Sequence, residues 1–208
     1  MGKVLITGGA GFIGSNIALK LVAQGYSVVV LDSLSEQIHG SEPKYTSPLY
    51  ISIRDKVEFI KGDVNKREDW MKALDGIDYV IHLAAETGTG QSMYEIEKYV
   101  GTNIGGTALL LDILANNPHN VKRVVVAESR AIYGEGKYVC PKCGEVYPSE
   151  RKDEDMSKGD FECKCPKCGG EVQLSGTTED SFIQPSSVYG ITKQVEGQLV
   201  PMTRKSHP

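Results

Sequence analysis

The chain has 208 residues, enough for one domain with a buried core and room for an insertion. Hydrophobic residues make up 40% and charged residues 24%, and the net charge of −4 offers no electrostatic footing on nucleic acid or an anionic membrane. No apolar run is long enough to span a bilayer, and Lys3-Val4-Leu5-Ile6 reads as a first strand rather than a secretory leader, so a cytoplasmic location is expected.

In chain order, short apolar runs alternate with amphipathic stretches. Val4–Thr7, Ser27–Leu31, Val57–Ile60, Tyr79–Leu83 and Val121–Ala127 read as five strands. Their continuous Val/Ile/Leu content suits parallel strands covered on both faces. Phe12–Gln24, Lys66–Leu74 and Tyr94–Asn116 read as the intervening helices. In the last, Tyr94, Val100, Ile104, Leu111 and Leu114 mark the expected apolar face, and Pro118 stops it. The alternation predicts an α/β doubly wound parallel sheet of the Rossmann type, with its ligand at the carboxyl ends of the strands. A polar, cysteine-bearing stretch breaks the rhythm, and a helix resumes after Pro185. The expected organisation is therefore 1–134 for the first part of the dinucleotide-binding domain, 135–178 for an inserted module, and 179–208 for the rest of that domain with a polar tail from Pro201.

Thr7-Gly8-Gly9-Ala10-Gly11-Phe12-Ile13-Gly14 lies directly after the first strand and opens the first helix. Gly8 permits the tight turn, Gly11 lets the backbone approach a pyrophosphate, and Gly14 lets the helix pack closely, while the helix N-terminus offers amide donors. Asp32 ends the second strand, where a carboxylate binds the adenosine ribose hydroxyls and repels a 2′-phosphate, which selects NAD over NADP. Asp63-Val64 after the third strand holds either the adenine edge or a plain turn.

Tyr189 and Lys193 stand one helical turn apart, an arrangement in which an ammonium lowers a phenol's pKa and makes it a proton shuttle. Ser129, after the fifth strand, is placed to hydrogen-bond the reacting oxygen. In the polar loop after the fourth strand, Thr87, Gln91 and Ser92 are candidate sugar contacts. His82 reads as a packed strand-end residue, and His39, His119 and His207 show no partner in the sequence.

All five cysteines fall between residues 140 and 168. Cys140-Pro141-Lys142-Cys143-Gly144 and Cys165-Pro166-Lys167-Cys168-Gly169 are two copies of one knuckle, with twenty-one residues between Cys143 and Cys165. Two such pairs wrap a tetrahedral Zn²⁺ with four thiolates, leaving no position for water, so a structural zinc-ribbon-like insertion is expected. Cys163 is a spare thiol, ranked below Cys165 as a ligand.

These motifs resemble the extended short-chain dehydrogenase/reductase family, specifically its nucleotide-sugar epimerases. The resemblance rests on Gly8, Gly11, Gly14, Asp32, Asp63, His82-Leu83-Ala84-Ala85, Asn103, Ser129-x-x-x-Tyr133-Gly134, and Tyr189 with Lys193. A narrower resemblance, to dTDP-L-rhamnose 4-epimerases, is carried by Leu34-Ser35-Glu36-Gln37-Ile38-His39-Gly40, Glu86-Thr87-Gly88-Thr89-Gly90-Gln91-Ser92 and the cysteine knuckles. It implies a nucleotide-sugar substrate and a retained NAD. Tyr189 would take the 4-hydroxyl proton as hydride leaves C4, and the 4-keto sugar would turn over before the hydride returns.

Within that resemblance Lys193 also holds the nicotinamide ribose, Ser129 shares the substrate proton and Asn103 orders the active-site helix. Phe12, Ile13, Leu83, Ala84 and Ala85 would line the cofactor, and a homodimer through helices 94–116 and 186–199 is implied. Related sugar dehydratases carry an Asp-Glu pair where this chain has Arg130 and Ala131, which leaves epimerisation. Family members continue past the catalytic helix into a smaller nucleotide-gripping domain, so the chain reads as a truncated epimerase. The alternative is a non-catalytic NAD- and zinc-binding module completed by a partner.

Overall fold

The computed structural model describes residues 2–206, so Met1, Pro208 and His207 lie outside the described residues. In chain order the elements begin with β1 (Lys3–Thr7), α1 (Phe12–Ala23) and β2 (Ser27–Asp32). Three short helices follow, α2 (Glu36–His39), α3 (Pro43–Thr46) and α4 (Pro48–Ile53). Next come β3 (Glu58–Lys61), α5 (Arg67–Ala73), β4 (Tyr79–His82), α6 (Thr89–Ser92) and α7 (Ile96–Tyr99). A π-helical stretch, Val100–Gly105, leads into α8 (Gly106–Asn116) and β5 (Arg123–Val126). A 3₁₀ turn at Arg130–Tyr133, β6 (Tyr138–Cys140), β7 (Gly144–Val146), α9 (Asp153–Met156), β8 (Gln173–Leu174) and α10 (Val188–Ser206) complete the order.

The chain forms two compact units, one of residues 1–87, 97–127 and 195–208, the other of 88–96 and 128–194. The first unit holds a parallel sheet in the order β3-β2-β1-β4-β5. The chain winds outward from β1 and returns to β4 beside it, so the topological switch lies at the carboxyl ends of β1 and β4. Alternate side chains of the central strands serve opposite faces. Leu5, Val29, Leu31 and Val80 pack with Trp70, Leu110 and Ile113, while Val4, Ile6, Val28 and Val30 pack with Ala18 and Ile53. That two-sided burial is why those strands read as unbroken apolar runs. The edge strands depart from it, with Val125 of β5 half exposed.

One expectation is corrected. Tyr94 lies in a turn before α7 and is exposed, as is Val100, so the apolar stripe drawn from Tyr94 holds only in its later part, where Leu111 is buried and Leu114 packs against the core. The buried face runs through Tyr99, Asn103, Thr107, Leu110 and Ile113, and its polar members serve hydrogen bonds that hydrophobic spacing cannot register. The polar tail from Pro201 continues α10 as far as Ser206. Proline inside a helix forfeits one backbone hydrogen bond without necessarily ending it.

The second unit contains a small antiparallel sheet, β7-β6-β8, around a core cluster of Cys140, Val146 and Cys165.

Candidate functional site

The turn after β1 is shaped by its glycines. Gly8 has φ of +65°, and a Cβ there would lie 2.7 Å from the amide nitrogen of Ala84. A Cβ on Gly14 would overlap the Gly8 carbonyl oxygen and come within 2.6 Å of Gly9 Cα, so α1 packs against the turn only because Gly14 has no side chain. Gly11 is the N-cap of α1 and supplies no side-chain cap, and the first turn carries no acidic residue. The helix N-terminus therefore keeps donors and positive potential for an anion. Phe12 and Ile13 stand exposed at that end. The cradle fits the pyrophosphate of a dinucleotide.

Asp32 is buried at the end of β2, where Oδ2 accepts from the Ala10 amide at 2.9 Å and Oδ1 from the Leu34 amide at 2.8 Å. Leu34 has φ of +54°, a left-handed conformation uncommon outside glycine, and holds it beside this carboxylate. Asp63 closes a local turn, its Oδ1 accepting from the Asn65 amide at 2.9 Å. Val64 is buried in the core, and its carbonyl accepts from Trp70 Nε1 at 2.7 Å.

At the switch point Thr7 Oγ1 accepts from the amides of Leu83 and Ala84 at 3.2 and 3.1 Å. Its proton is thereby left for His82 Nδ1 at 2.6 Å. That bond sets the tautomer, so His82 Nε2 donates to Thr107 Oγ1 at 3.1 Å. Thr107 also reaches the Asn103 carbonyl at 2.7 Å and buried Glu196 Oε1 at 3.1 Å. His82 is accordingly a packed structural residue, as its sequence position suggested. The sequence reading did not single out Thr107 or Glu196; neither lies in a recognisable motif.

Asn103 sits in the π-helical stretch, fully buried. Its Oδ1 accepts from the Glu86 amide at 2.8 Å and its Nδ2 donates to the Glu86 carbonyl at 3.1 Å. It thus clamps the start of the loop after β4 from both sides. Ala85 is half-buried just ahead of that clamp, and Thr87 is exposed just beyond it, its carbonyl accepting from the Tyr99 hydroxyl at 2.7 Å.

In the second unit, Ser187 caps α10, its hydroxyl accepting from the Gly190 amide at 3.0 Å. Tyr189 is half-buried and Lys193 almost fully buried. Gly190 is needed for close packing, since a Cβ there would lie 2.7 Å from the Ala131 carbonyl oxygen. Ser129 is the N-cap of the 3₁₀ turn, its Oγ accepting from the Ala131 amide at 3.2 Å while its own proton is left to donate. Ser92 is fully buried. It accepts from the Tyr189 amide at 3.0 Å and donates to the Thr89 carbonyl at 2.6 Å, so its hydroxyl braces the start of α10. Gln91 Nε2 donates to Glu95 Oε2 at 3.0 Å.

The sulfur atoms of Cys140, Cys143, Cys165 and Cys168 lie within 4.8 Å of one another, and Cys140 and Cys168 are 3.7 Å apart. Tetrahedral zinc with bonds of about 2.3 Å needs sulfurs about 3.8 Å apart, so a small contraction closes the site. The neighbouring Cys168 thiol pushes Cys143 up to about 12. Burial would raise Cys165, yet the amides of Lys167 and Cys168 and the nearby thiols hold it at about 7. The four sulfur atoms stand as a possible ligand set for one metal ion. Cys163 lies outside the cluster, its thiol 3.6 Å from Glu135 Oε2. The hydrogen bond it makes with Tyr138 pushes that phenol up to about 12.

A parallel 3-2-1-4-5 sheet with a glycine turn after β1 and an acidic residue ending β2 defines a dinucleotide-binding fold. Residues 4–156 match the sequence profile of the NAD dependent epimerase/dehydratase family, and the chain belongs to that family. Among curated relatives, the chain is 34% identical to a dTDP-L-rhamnose 4-epimerase from Burkholderia thailandensis over 200 residues, 95% of this chain and 52% of the relative. It is 36% identical to a UDP-glucose 4-epimerase from Streptomyces lividans over 141 residues, 66% of this chain and 39% of that one.

The chain also resembles solved structures. UDP-glucose 4-epimerase from Brucella ovis in complex with NAD superposes with a TM-score of 0.65 at 26% identity, over 100% of this chain and 49% of that one. A UDP-glucuronic acid 4-epimerase variant from Bacillus cereus, bound to NAD and a fluorinated UDP-glucuronic acid, gives a TM-score of 0.68 at 25% identity, over 98% and 52%. The chain spans about half the length of the first of these curated relatives and of both structures.

Proposed function

We propose that the chain is the cofactor-binding and catalytic portion of an NAD-dependent nucleotide-sugar 4-epimerase acting on dTDP-L-rhamnose and dTDP-6-deoxy-L-talose. The observation that carries the chemistry is half-buried Tyr189 four residues before buried Lys193 on α10, and the glycine cradle at α1, within the first unit, supports the cofactor. The 34% identity to a dTDP-L-rhamnose 4-epimerase over nearly the whole chain, knuckle region included, supports the substrate. The amides at the start of α1 would hold the pyrophosphate, Asp32 the adenosine ribose, and Phe12, Ile13, Leu83, Ala84 and Ala85 the cofactor's flanks. Asp63 and Val64 would border the adenine through their turn.

NAD, when bound, supplies the acceptor and donor of hydride at the sugar's C4. Tyr189 would remove and return the proton on the 4-oxygen, with Lys193 one turn along the same helix and Ser129 donating to the same oxygen. Thr87 and Gln91 would meet the sugar, while Ser92 and Asn103 fix the catalytic helix and the loop after β4. Residues 135–178 would be a four-cysteine zinc-ribbon-like insertion with a structural metal. The protein would work in the cytoplasm as a homodimer through helices 94–116 and 186–199; exposed Ile96 and Ile191 are apolar surface for such an interface.

The test is to incubate the chain with NAD and dTDP-L-rhamnose and to identify products by NMR, with UDP-glucose in parallel. Formation of the talose epimer supports the reading. Turnover of UDP-glucose alone would keep the chemistry and discard the substrate. A second reading, an NAD- and zinc-binding module completed by a partner, is favoured by half-exposed Val125 on edge strand β5. NAD binding without turnover, restored by a partner chain, would establish it.

A further inference from the structure

The loop after β2 is built around the Asp32 carboxylate, and its most buried member has no part in the chemistry above. His39, at the end of α2, is sealed from solvent, and its Nε2 lies 3.9 Å from Asp32 Oδ1. Its Nδ1 lies 2.8 Å from Ser47 Oγ. That hydroxyl accepts from the Tyr50 amide as the cap of α4, at 3.3 Å, and can donate its own proton to the imidazole. The proton of a neutral ring then sits on Nε2, facing the carboxylate. The opposite tautomer would aim a lone pair at Asp32, and a protonated ring keeps the Nε2 proton, so both allowed states present an N–H to the carboxylate.

The ring is also held from behind. Thr46 Oγ1 donates to the His39 carbonyl at 2.9 Å, and Gly40 turns the chain away with φ of +75°. At 3.9 Å the ring N–H is too distant for a direct hydrogen bond, so it acts as an oriented dipole, or a charge when protonated, beside the Oδ1 that Leu34 also engages.

We propose that His39 is a positioning residue for cofactor recognition: it holds the Asp32 carboxylate in orientation, so that Asp32 can grip the 2′-hydroxyl of the adenosine ribose. The inference rests on the NAD reading above and deepens it. The α2–α4 segment then has a task, which is to place one imidazole N–H behind one carboxylate.

The experiment measures affinities of the full chain for NAD and for NAD lacking the adenosine 2′-hydroxyl, by calorimetry, in the wild type and in His39→Phe and His39→Gln. The wild type should prefer NAD by on the order of tenfold, the scale of one hydrogen bond to a charged group. His39→Phe should cut that preference to about threefold or less while binding the deoxy analogue as the wild type does, and His39→Gln, whose amide restores an N–H, should recover it.

Equal losses for both ligands in His39→Phe would reduce His39 to a packing residue and overturn the proposal, as would an unchanged preference. A wild type that binds NAD with no preference would overturn it too. Failure of the wild type to bind NAD at all would sink the proposed function itself, which separates the two failures. Should His39→Phe not fold, Ser47→Ala leaves the ring in place but frees its tautomer. It should reduce the preference at least about twofold, and no reduction would overturn the proposal.

Discussion

If residues 135–178 hold the proposed zinc, stripping it should unfold that module and leave the parallel sheet intact. Its core cluster is Cys140, Val146 and Cys165, so Val146 is the one buried aliphatic side chain in it, worth about 1.5–3 kcal/mol. Ordering the backbone of the eight residues in β6, β7 and β8 costs about 1–2 kcal/mol each. The deficit is on the order of 10 kcal/mol, and four thiolates on zinc supply about 10–16 kcal/mol in small zinc-binding peptides near neutral pH.

The assay is hydrogen exchange with and without a strong chelator. Amides whose bonds define the knuckles, such as Cys165 to the Gly170 carbonyl and Gly169 to the Cys165 carbonyl, should lose protection by at least about a hundredfold. Amides of β1, β2 and β4 should not change. Full protection of the knuckle amides in metal-free protein would refute the argument, because no other source of stability of that size is present in the module's described core.

Tyr189→Phe should reduce epimerisation by about 10²–10⁴-fold while leaving NAD affinity nearly unchanged, which product analysis and calorimetry separate. Gly14→Ala places a Cβ against the backbone of Gly8 and Gly9; it should cost about 1–3 kcal/mol in urea unfolding and weaken NAD binding. Thr107→Val keeps the shape but removes a hydroxyl shared by His82, Asn103 and Glu196, and should cost about 1–3 kcal/mol by the same unfolding measurement. Metal affinity should fall as pH is lowered, because Cys143, raised to about 12, and Cys165, near 7, must both lose protons to become ligands. Competitive chelation between about pH 6 and pH 8 checks the sign, and a flat profile would count against thiolate ligation.

The centre of the sheet was legible because its inner strands are buried on both faces, so Val4–Thr7 and Ser27–Leu31 carry the signal in composition alone. Glycine spacing marked the cradle, since Gly8 and Gly14 are required by backbone overlaps that no other residue relieves. Helix Ile96–Asn116 was legible only in outline. Its inner face includes Asn103 and Thr107, whose burial is stabilised by hydrogen bonds rather than by apolar contact. His39 showed no partner in sequence because its contacts, Asp32 and Ser47, come from segments seven and eight residues away in an irregular stretch. Ser92 looked like a sugar contact because it lies in a polar loop, yet its hydroxyl serves the Tyr189 amide ninety-seven residues on.

The central claim is most directly tested with dTDP-L-rhamnose carrying deuterium at C4, incubated with the chain and NAD. The account predicts dTDP-6-deoxy-L-talose that retains the deuterium at C4, with no net reduction of NAD. Talose product formed with the deuterium lost to solvent, or NAD bound with no epimer formed, would contradict it.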